Sequence, residues 1–390
     1  VTPLFEEQLR AAARKAGLAP HDGPAMLAHV AYDAEYAVKR DVVAGYLKLL
    51  APREALQPLV RSVKPREYRT TSRRRVWRDR RGGMRLVHGD MHESASASSL
   101  EPPAHLRVYA RIAKQLDVRR DPLAEVLNHV IVRGTYDQFV LILNIMEVSA
   151  DIIRAARSWV KSVQRDVPEV TSAWLYVDPK GSRYYLDTDR PLRGMAEKKI
   201  SGERVWRQTL DDVTYQVGVF SFSQVNLAMV PTLVKTVRET AQLRPTDVLA
   251  DLYGGYGLFG AAMAKDVQAV VTMDADETTV DNARYNIRRA GGTVRAIALP
   301  VNPANLAKVV DHADVVILDP PRSGTDPNVI TAVAGLKPRQ VVHVFCGPDE
   351  IRRSIGEWKA AGYAVSSMIP VDLFPGTAGL EVIVGFQPKA

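Results

Sequence analysis

From about residue 220 onward, strand-length apolar runs alternate with helix-length amphipathic ones, and this alternation leaves few folds open. The runs "DVLADLYGG", "AVVTMDA", "TVRAIAL", "DVVILDPP" and "QVVHVFC" are each followed by a helical stretch, and "YAVSSMIPV" and "LEVIVGFQ" close the chain. Parallel strands cannot be joined by tight turns; each needs a crossover, usually a helix, that returns the chain to the same edge. The pattern therefore predicts an α/β domain over residues 220–390, a doubly wound, Rossmann-like parallel sheet with a hairpin-like end. Ligands bind such sheets at the carboxyl ends of the strands. Asp251, Asp274, Asp319 and Cys346 all fall there.

Before residue 220 the grammar differs. Residues 1–60 read as a helical segment, with one amphipathic helix ending near Gly17 and a second carrying apolar positions from Met26 to Leu50. Residues 61–219 read as an α+β region. In it "HLRVYARIAKQL" and Asp151–Val163 are expected helices, and "VLNHVIVRGTYDQFVLILNIMEV" two strands about a turn. "SAWLYV", "RYYLD" and "VTYQVGV" are expected strands, and "GDMHESASASSL" a loop. Between Arg61 and Leu86 stand 11 Lys or Arg against 2 Asp or Glu, a local +9 in a chain whose total is +8, so the remainder nets −1. Arg73, Arg74, Arg75 and Arg78 are interleaved with Tyr68, Val76 and Trp77 and followed by Gly82-Gly83, which reads as a hairpin. Guanidinium groups held beside aromatic rings suit phosphate contact and base stacking, so these four arginines are expected to bind nucleic acid.

"DLYGGYGLFG", Asp251–Gly260, sets Gly254 and Gly255 in the first strand-to-helix turn, where small residues let the backbone approach a ligand and a helix N-terminus offers free N–H groups. Asp274 ends the next strand, where a carboxylate can accept from both hydroxyls of a ribose. The glycines at 254, 255, 257 and 260 do not match the dinucleotide fingerprint G-x-G-x-x-G. S-adenosyl-L-methionine, which has no pyrophosphate to cradle, fits better than a dinucleotide. "LDPPRSG" ends a further strand with Asp319 and a stiff Pro-Pro turn followed by Arg322. Enzymes that methylate exocyclic amines carry an aromatic residue at that place, so amino-group methylation is disfavoured.

Cys346 is the single cysteine among 390 residues. It excludes an intramolecular disulfide and a cysteine-ligated iron–sulfur cluster, and fits a reducing cytoplasm. No stretch of membrane-spanning length lacks charges, so a soluble, cytoplasmic protein with no membrane contact is expected. A lone cysteine is by default a small buried hydrophobe; the alternative is a nucleophile at the end of a strand.

The segments "FSFSQVN", "DLYGGYGLFG", "DPPRSG", "VVHVFCGP" and "VDLFPGTAGLEV" resemble, in order and spacing, the RNA 5-methyluridine (uracil-C5) methyltransferases. The likeness covers the C-terminal half well. The N-terminal half matches loosely, through "PAMLAHVAYDAEYAVKRDVV" and "KPREYRTTSRRRV". The resemblance implies a nucleophile at Cys346, a base at Glu381, and Gln224, Tyr253, Asp274 and Asp319 around S-adenosyl-L-methionine. It also implies structured RNA, ribosomal or transfer, as partner to a monomeric enzyme with no metal. The chain departs from the family at Gly347, where Asn is usual, at Gly376 and Gly379, where His is frequent, and at Leu258, where Asn often stands. Those losses motivate a rival reading, a non-catalytic RNA-binding or RNA-folding protein on the same scaffold.

Overall fold

The structure, a computed structural model, describes residues 4–50, 52, 55–88, 98–116, 120–179 and 197–389. The expected strand "RYYLD" and most of the expected loop "GDMHESASASSL" lie outside the described residues. The chain divides into two compact units, residues 1–65 with 207–390, and residues 66–206. This differs from three consecutive segments cut at 60 and 219.

The first unit begins with α1 (Phe5–Lys15) and α2 (Tyr32–Leu47). The second helix starts six residues later than its apolar positions suggest, because Gly23 at φ +87° and the turns that follow it interrupt the backbone. Phe5, Leu9, Val43, Leu47 and Leu59 pack in one core with Leu252, Val316, Phe345 and Trp358, more than 190 residues away in sequence. Leu56 and Val60 form bridges to Met368 and Val371. The N-terminal helices are therefore part of the C-terminal unit, not a segment of their own.

The second unit holds β1 (Ser72–Arg78), β2 (Met84–Val87), α3 (Pro103–Leu116), α4 (Pro122–Val126), β3 (Leu127–Gly134), β4 (Phe139–Ile145), α5 (Ala150–Asp166), β5 (Val170–Val177) and β6 (Glu197–Ser201). Its sheet has the order β2-β1-β3-β4-β5-β6. All described neighbours are antiparallel except β4 and β5, which α5 joins as a crossover. Period-2 alternation sends Val76, Val130, Val132, Leu141 and Leu143 to one face, where they meet Val108 and Ile112 of α3 and Ile152 and Trp159 of α5.

The chain returns through β7 (Val205–Leu210) to β8 (Val213–Gly218). There follow α6 (Val230–Ala241), β9 (Val248–Leu252), α7 (Leu258–Ala262), β10 (Ala269–Asp274), α8 (Glu277–Arg289) and β11 (Val294–Ala298). The unit ends with α9 (Pro303–Val309), β12 (Val315–Leu318), α10 (Val329–Gly335), β13 (Gln340–Phe345), α11 (Ile351–Ala360), β14 (Tyr363–Val371) and β15 (Glu381–Pro388). The seven-stranded sheet has the order β11-β10-β9-β12-β13-β15-β14. Its first five strands are mutually parallel, while β15 is antiparallel to both β13 and β14. The Rossmann-like doubly wound sheet with a hairpin end is thus present as the alternation predicts. No helix among the described residues is long and apolar enough to cross a membrane.

Candidate active site

The carboxyl edge of the parallel sheet gathers the expected residues because the strands are in register. Leu252 of β9 pairs with Met273 of β10 and Leu318 of β12, so the next residues along, Tyr253, Asp274 and Asp319, lie side by side. Hydrogen bonds from Gly254 N to Met273 O at 3.1 Å and from Asp319 N to Leu252 O at 3.3 Å extend that register to the edge. Glu381 reaches the same edge by a different route. Because β15 runs against β13, its amino end arrives where β13 finishes. The last pair of their ladder is Phe345 with Val382. One step further along the same register sets Cys346 opposite Glu381.

Burial shapes the chemistry of this cluster. Glu381 is 2% exposed, and its Oε2 has no hydrogen-bond partner among the described residues. Burial, with the nearby Asp319 charge, holds its carboxyl well above the usual range, opposed by Arg322. The Cys346 thiol, which donates to Pro320 O at 3.5 Å, is pushed up by burial, then by Glu381 and Asp319, again against Arg322. Asp319 is pushed up to about 7 by burial and by the charge of Asp251. Three acidic groups thus share a small, poorly solvated volume and cannot all ionise together, the arrangement that separates acid and base roles at functional sites.

Around the first turn the glycines are needed for two different reasons. A Cβ on Gly254 would meet Thr272 Oγ1 at 2.3 Å, so this position is glycine for close packing of the loop on the sheet. Gly255 has φ +54° and nothing within 4 Å of where its Cβ would stand, which leaves an open, left-handed position facing space. Its N–H donates to Asp274 Oδ2 at 3.0 Å, and Asp276 N donates to Asp274 Oδ1 at 3.2 Å. Tyr253 also adopts a left-handed backbone, φ +60°, uncommon for a residue with a ring. Beneath them Asp251 accepts from Gly260 N at 3.0 Å through Oδ2, while its Oδ1 is buried without a partner among the described residues.

A model of the methyltransferase small domain family matches residues 212–334. An uncharacterized RNA methyltransferase of Lactococcus lactis is 35% identical over 182 residues, 46% of this chain and 39% of that protein. Another, of Bacillus anthracis, is 26% identical over 382 residues, 94% of this chain and 81% of that protein. This chain is a relative of the RNA methyltransferases.

It spans about two-fifths of the length of the Lactococcus RNA methyltransferase. The fold extends further: the crystal structure of the Pyrococcus abyssi tRNA (uracil-54, C5)-methyltransferase with S-adenosyl-L-homocysteine has a TM-score of 0.68 and 20% identity, covering 93% of this chain and 85% of that one. At that identity the likeness is one of fold. For a methyltransferase domain, the open position at Gly255, the carboxylate of Asp274 and the unpartnered Oδ1 of Asp251 fit an adenosyl group carrying an amino acid. Gln224 is buried in the connection between β8 and α6. Two residues on, Asn226 donates through Nδ2 to Leu373 O at 2.9 Å, tying that connection to the loop before Glu381. Sequence reading passed over Asn226, although it stands inside "FSFSQVN".

The four arginines of the basic hairpin do not stay together. The hairpin forms, with Trp77 opposite Arg85 and Val76 opposite Leu86. Alternation along β1 sends Arg74 inward with Ser72 and Val76. It is 1% exposed, makes a bidentate pair with Glu101 at 3.0 and 2.6 Å, and lies 4.4 Å from the Tyr109 ring centroid. Arg78 donates from Nη2 to the carbonyls of Ala124, Glu125 and Leu127 at 2.9–3.0 Å, closing the C-terminal end of α4. Arg74 is therefore a core residue, which corrects its expected role in phosphate contact, while Arg78 caps α4 and is still exposed. Arg73 and Arg75 share the other face of the strand with Trp77, over which Arg85 stacks at 4.5 Å.

Proposed function

We propose that this chain methylates C5 of a uridine in structured RNA, with S-adenosyl-L-methionine as methyl donor. The observation that carries the reading is the register that sets Cys346 opposite Glu381, beside Asp319, at the ligand-binding edge of the sheet. Uracil C5 is a poor nucleophile, and a thiol one bond away changes that. Cys346 Sγ, its proton passing to solvent, forms a bond to C6; the electron pair of the C5–C6 double bond moves into the ring as an enolate, and C5 becomes nucleophilic. Bound S-adenosyl-L-methionine supplies an electrophilic methyl group to C5. Glu381, as carboxylate, then takes the C5 proton, the double bond re-forms, and Sγ leaves C6. The base must be out of its stack to present C6 to Sγ. Gln224, Tyr253, Gly254, Gly255, Asp274 and Asp319 would hold the cofactor and the target base, while Arg73, Arg75, Trp77 and Arg85 are the phosphate- and base-contacting set of the 66–206 unit.

Release of tritium from RNA labelled at uracil C5 tests the reaction, and Glu381→Gln tests the roles. The variant should accumulate RNA joined covalently to Cys346 that survives denaturation. If wild-type protein releases no tritium from ribosomal or transfer RNA taken from cells lacking the gene, the reading fails.

A further inference from the structure

The loop Asp372–Gly379, which leads into Glu381, is gripped by three side chains of α2, besides single bonds to Leu27, Val60 and Asn226. Lys39, buried with 0% of its side chain exposed, donates from Nζ to Asp372 Oδ1 at 2.7 Å, Gly379 O at 2.7 Å and Thr377 O at 3.1 Å. Phe374 O lies 3.5 Å away as a fourth, weaker acceptor, so the three N–H donors of the ammonium group are all taken up by this loop. Glu35, one turn earlier on the same helix, accepts from Gly376 N. Tyr32, another turn back, donates to Asp372 Oδ2 at 3.0 Å and accepts from Ser62 N at 2.7 Å. The spacing 32, 35, 39 places all three on one face. The loop is shaped to meet them: Gly376 takes φ +83°, and a Cβ on Gly379 would stand 2.9 Å from the Phe374 ring. The two positions where the family's histidines are missing are thus occupied by the turn that Lys39 grips.

We propose that Lys39 is a positioning residue for the base: through Gly379 O and Asp372 it fixes the strand entry that points the Glu381 carboxyl at the target carbon. This rests on the uracil-C5 reading. Gly379 O lies two residues before Glu381, no more than about 7 Å of extended chain, so freedom at the loop passes directly to the carboxyl. Reacting groups displaced by about 1 Å cost about 100-fold in rate. The step affected is the last one, in which Glu381 takes the C5 proton, the C5–C6 double bond re-forms and the Sγ–C6 bond breaks. Attack by Cys346, which directly follows β13, is not routed through the loop.

The test separates those two steps in the full chain with S-adenosyl-L-methionine present. Transfer and ribosomal RNA transcribed with 5-fluorouridine reports attack and methyl transfer only, since C5 then has no proton to give. The same RNA with ordinary uridine reports release. Lys39→Met/Asp372→Leu removes both charges together and keeps the loop's apolar bulk. It should form the fluorouridine adduct within about threefold of wild type, but release product on the order of 100-fold more slowly, with covalent RNA accumulating. Equal losses in both assays, or none in either, overturn the proposal. Should the double variant not fold, Tyr32→Phe decides: release slowed severalfold with adduct formation unchanged supports positioning, and any other pattern overturns it. A wild type that forms no fluorouridine adduct sinks the uracil-C5 reading itself, a distinct result.

Discussion

The edge of the seven-stranded sheet and strand β1 were both marked in the sequence by candidate functional residues, far apart in the first and adjacent in the second, and folding treated them in opposite ways. At the sheet edge, residues scattered from 253 to 381 converge, because parallel strands all present the same end and β15 returns to it reversed. In β1, neighbours separate: Arg74 enters the core beside Glu101 while Arg73 and Arg75 face the other way. A site assembled by topology tolerates distance in sequence, whereas adjacency within a strand guarantees separation, because successive side chains point to opposite faces.

The sharpest way to break this comparison is at the edge itself. Cys346→Ala should abolish tritium release, a loss on the order of 10⁴-fold or more, as for removal of other covalent nucleophiles. In wild type the rate of adduct formation should rise with pH across the neutral range, because burial and two carboxyl groups hold the proton on Sγ. A flat profile from pH 6 to 9 would mean that the thiol is already ionised.

In β1 the expectation reverses from activity to stability. Arg74→Ala leaves Glu101 buried without its partner and should cost about 3–5 kcal/mol in denaturant unfolding, with no selective change in how RNA binding responds to salt. If the salt slope changes instead and stability does not, Arg74 is a phosphate contact after all.

A smaller effect sits under the glycine-rich turn. Burial, opposed by the Gly260 N–H and aided by Asp274, pushes the Asp251 carboxyl up to about 7, above its unfolded value of about 3.8. A group raised on folding contributes stability that is full below about pH 4 and is lost as pH climbs through about 7. Asp251→Asn keeps an acceptor for Gly260 N and removes the titration, so melting temperature should fall less between pH 5 and 8 than in wild type. An unchanged pH dependence would place the titrating group elsewhere. Least of all, Arg75→Gln should leave melting unaltered and reduce the slope of log K against log salt for RNA binding by roughly 0.7–0.9.

These contrasts also define what could be read in advance. The alternation after residue 220 was sufficient for the sheet, and with it the edge positions of Asp274, Asp319 and Cys346, since strand ends follow from strand boundaries. The pairing of Cys346 with Glu381 was not readable from pattern alone, because nothing local in "LEVIVGFQ" says whether the strand is parallel or reversed. The burial of Arg74 was readable: Ser72, Arg74 and Val76 form one alternate set, and Val76 names its face. Membership of α1 and α2 in the C-terminal unit was hidden for a physical reason, as Leu9 and Leu47 show an apolar face without showing what covers it.

The division of the first unit between the two ends of the chain has a consequence for its biogenesis. Lys39 and Asp372 are 333 residues apart. At synthesis rates of about 5–20 residues per second, roughly 20–70 s separate their emergence from the ribosome. During that time residues 66–206 are delivered whole, whereas Phe5, Leu9, Val43 and Leu47 have been made but their partners in the seven-stranded sheet have not. The apolar faces of the N-terminal helices consequently stay uncovered until the seven-stranded sheet has been made, and their native docking has to wait for it.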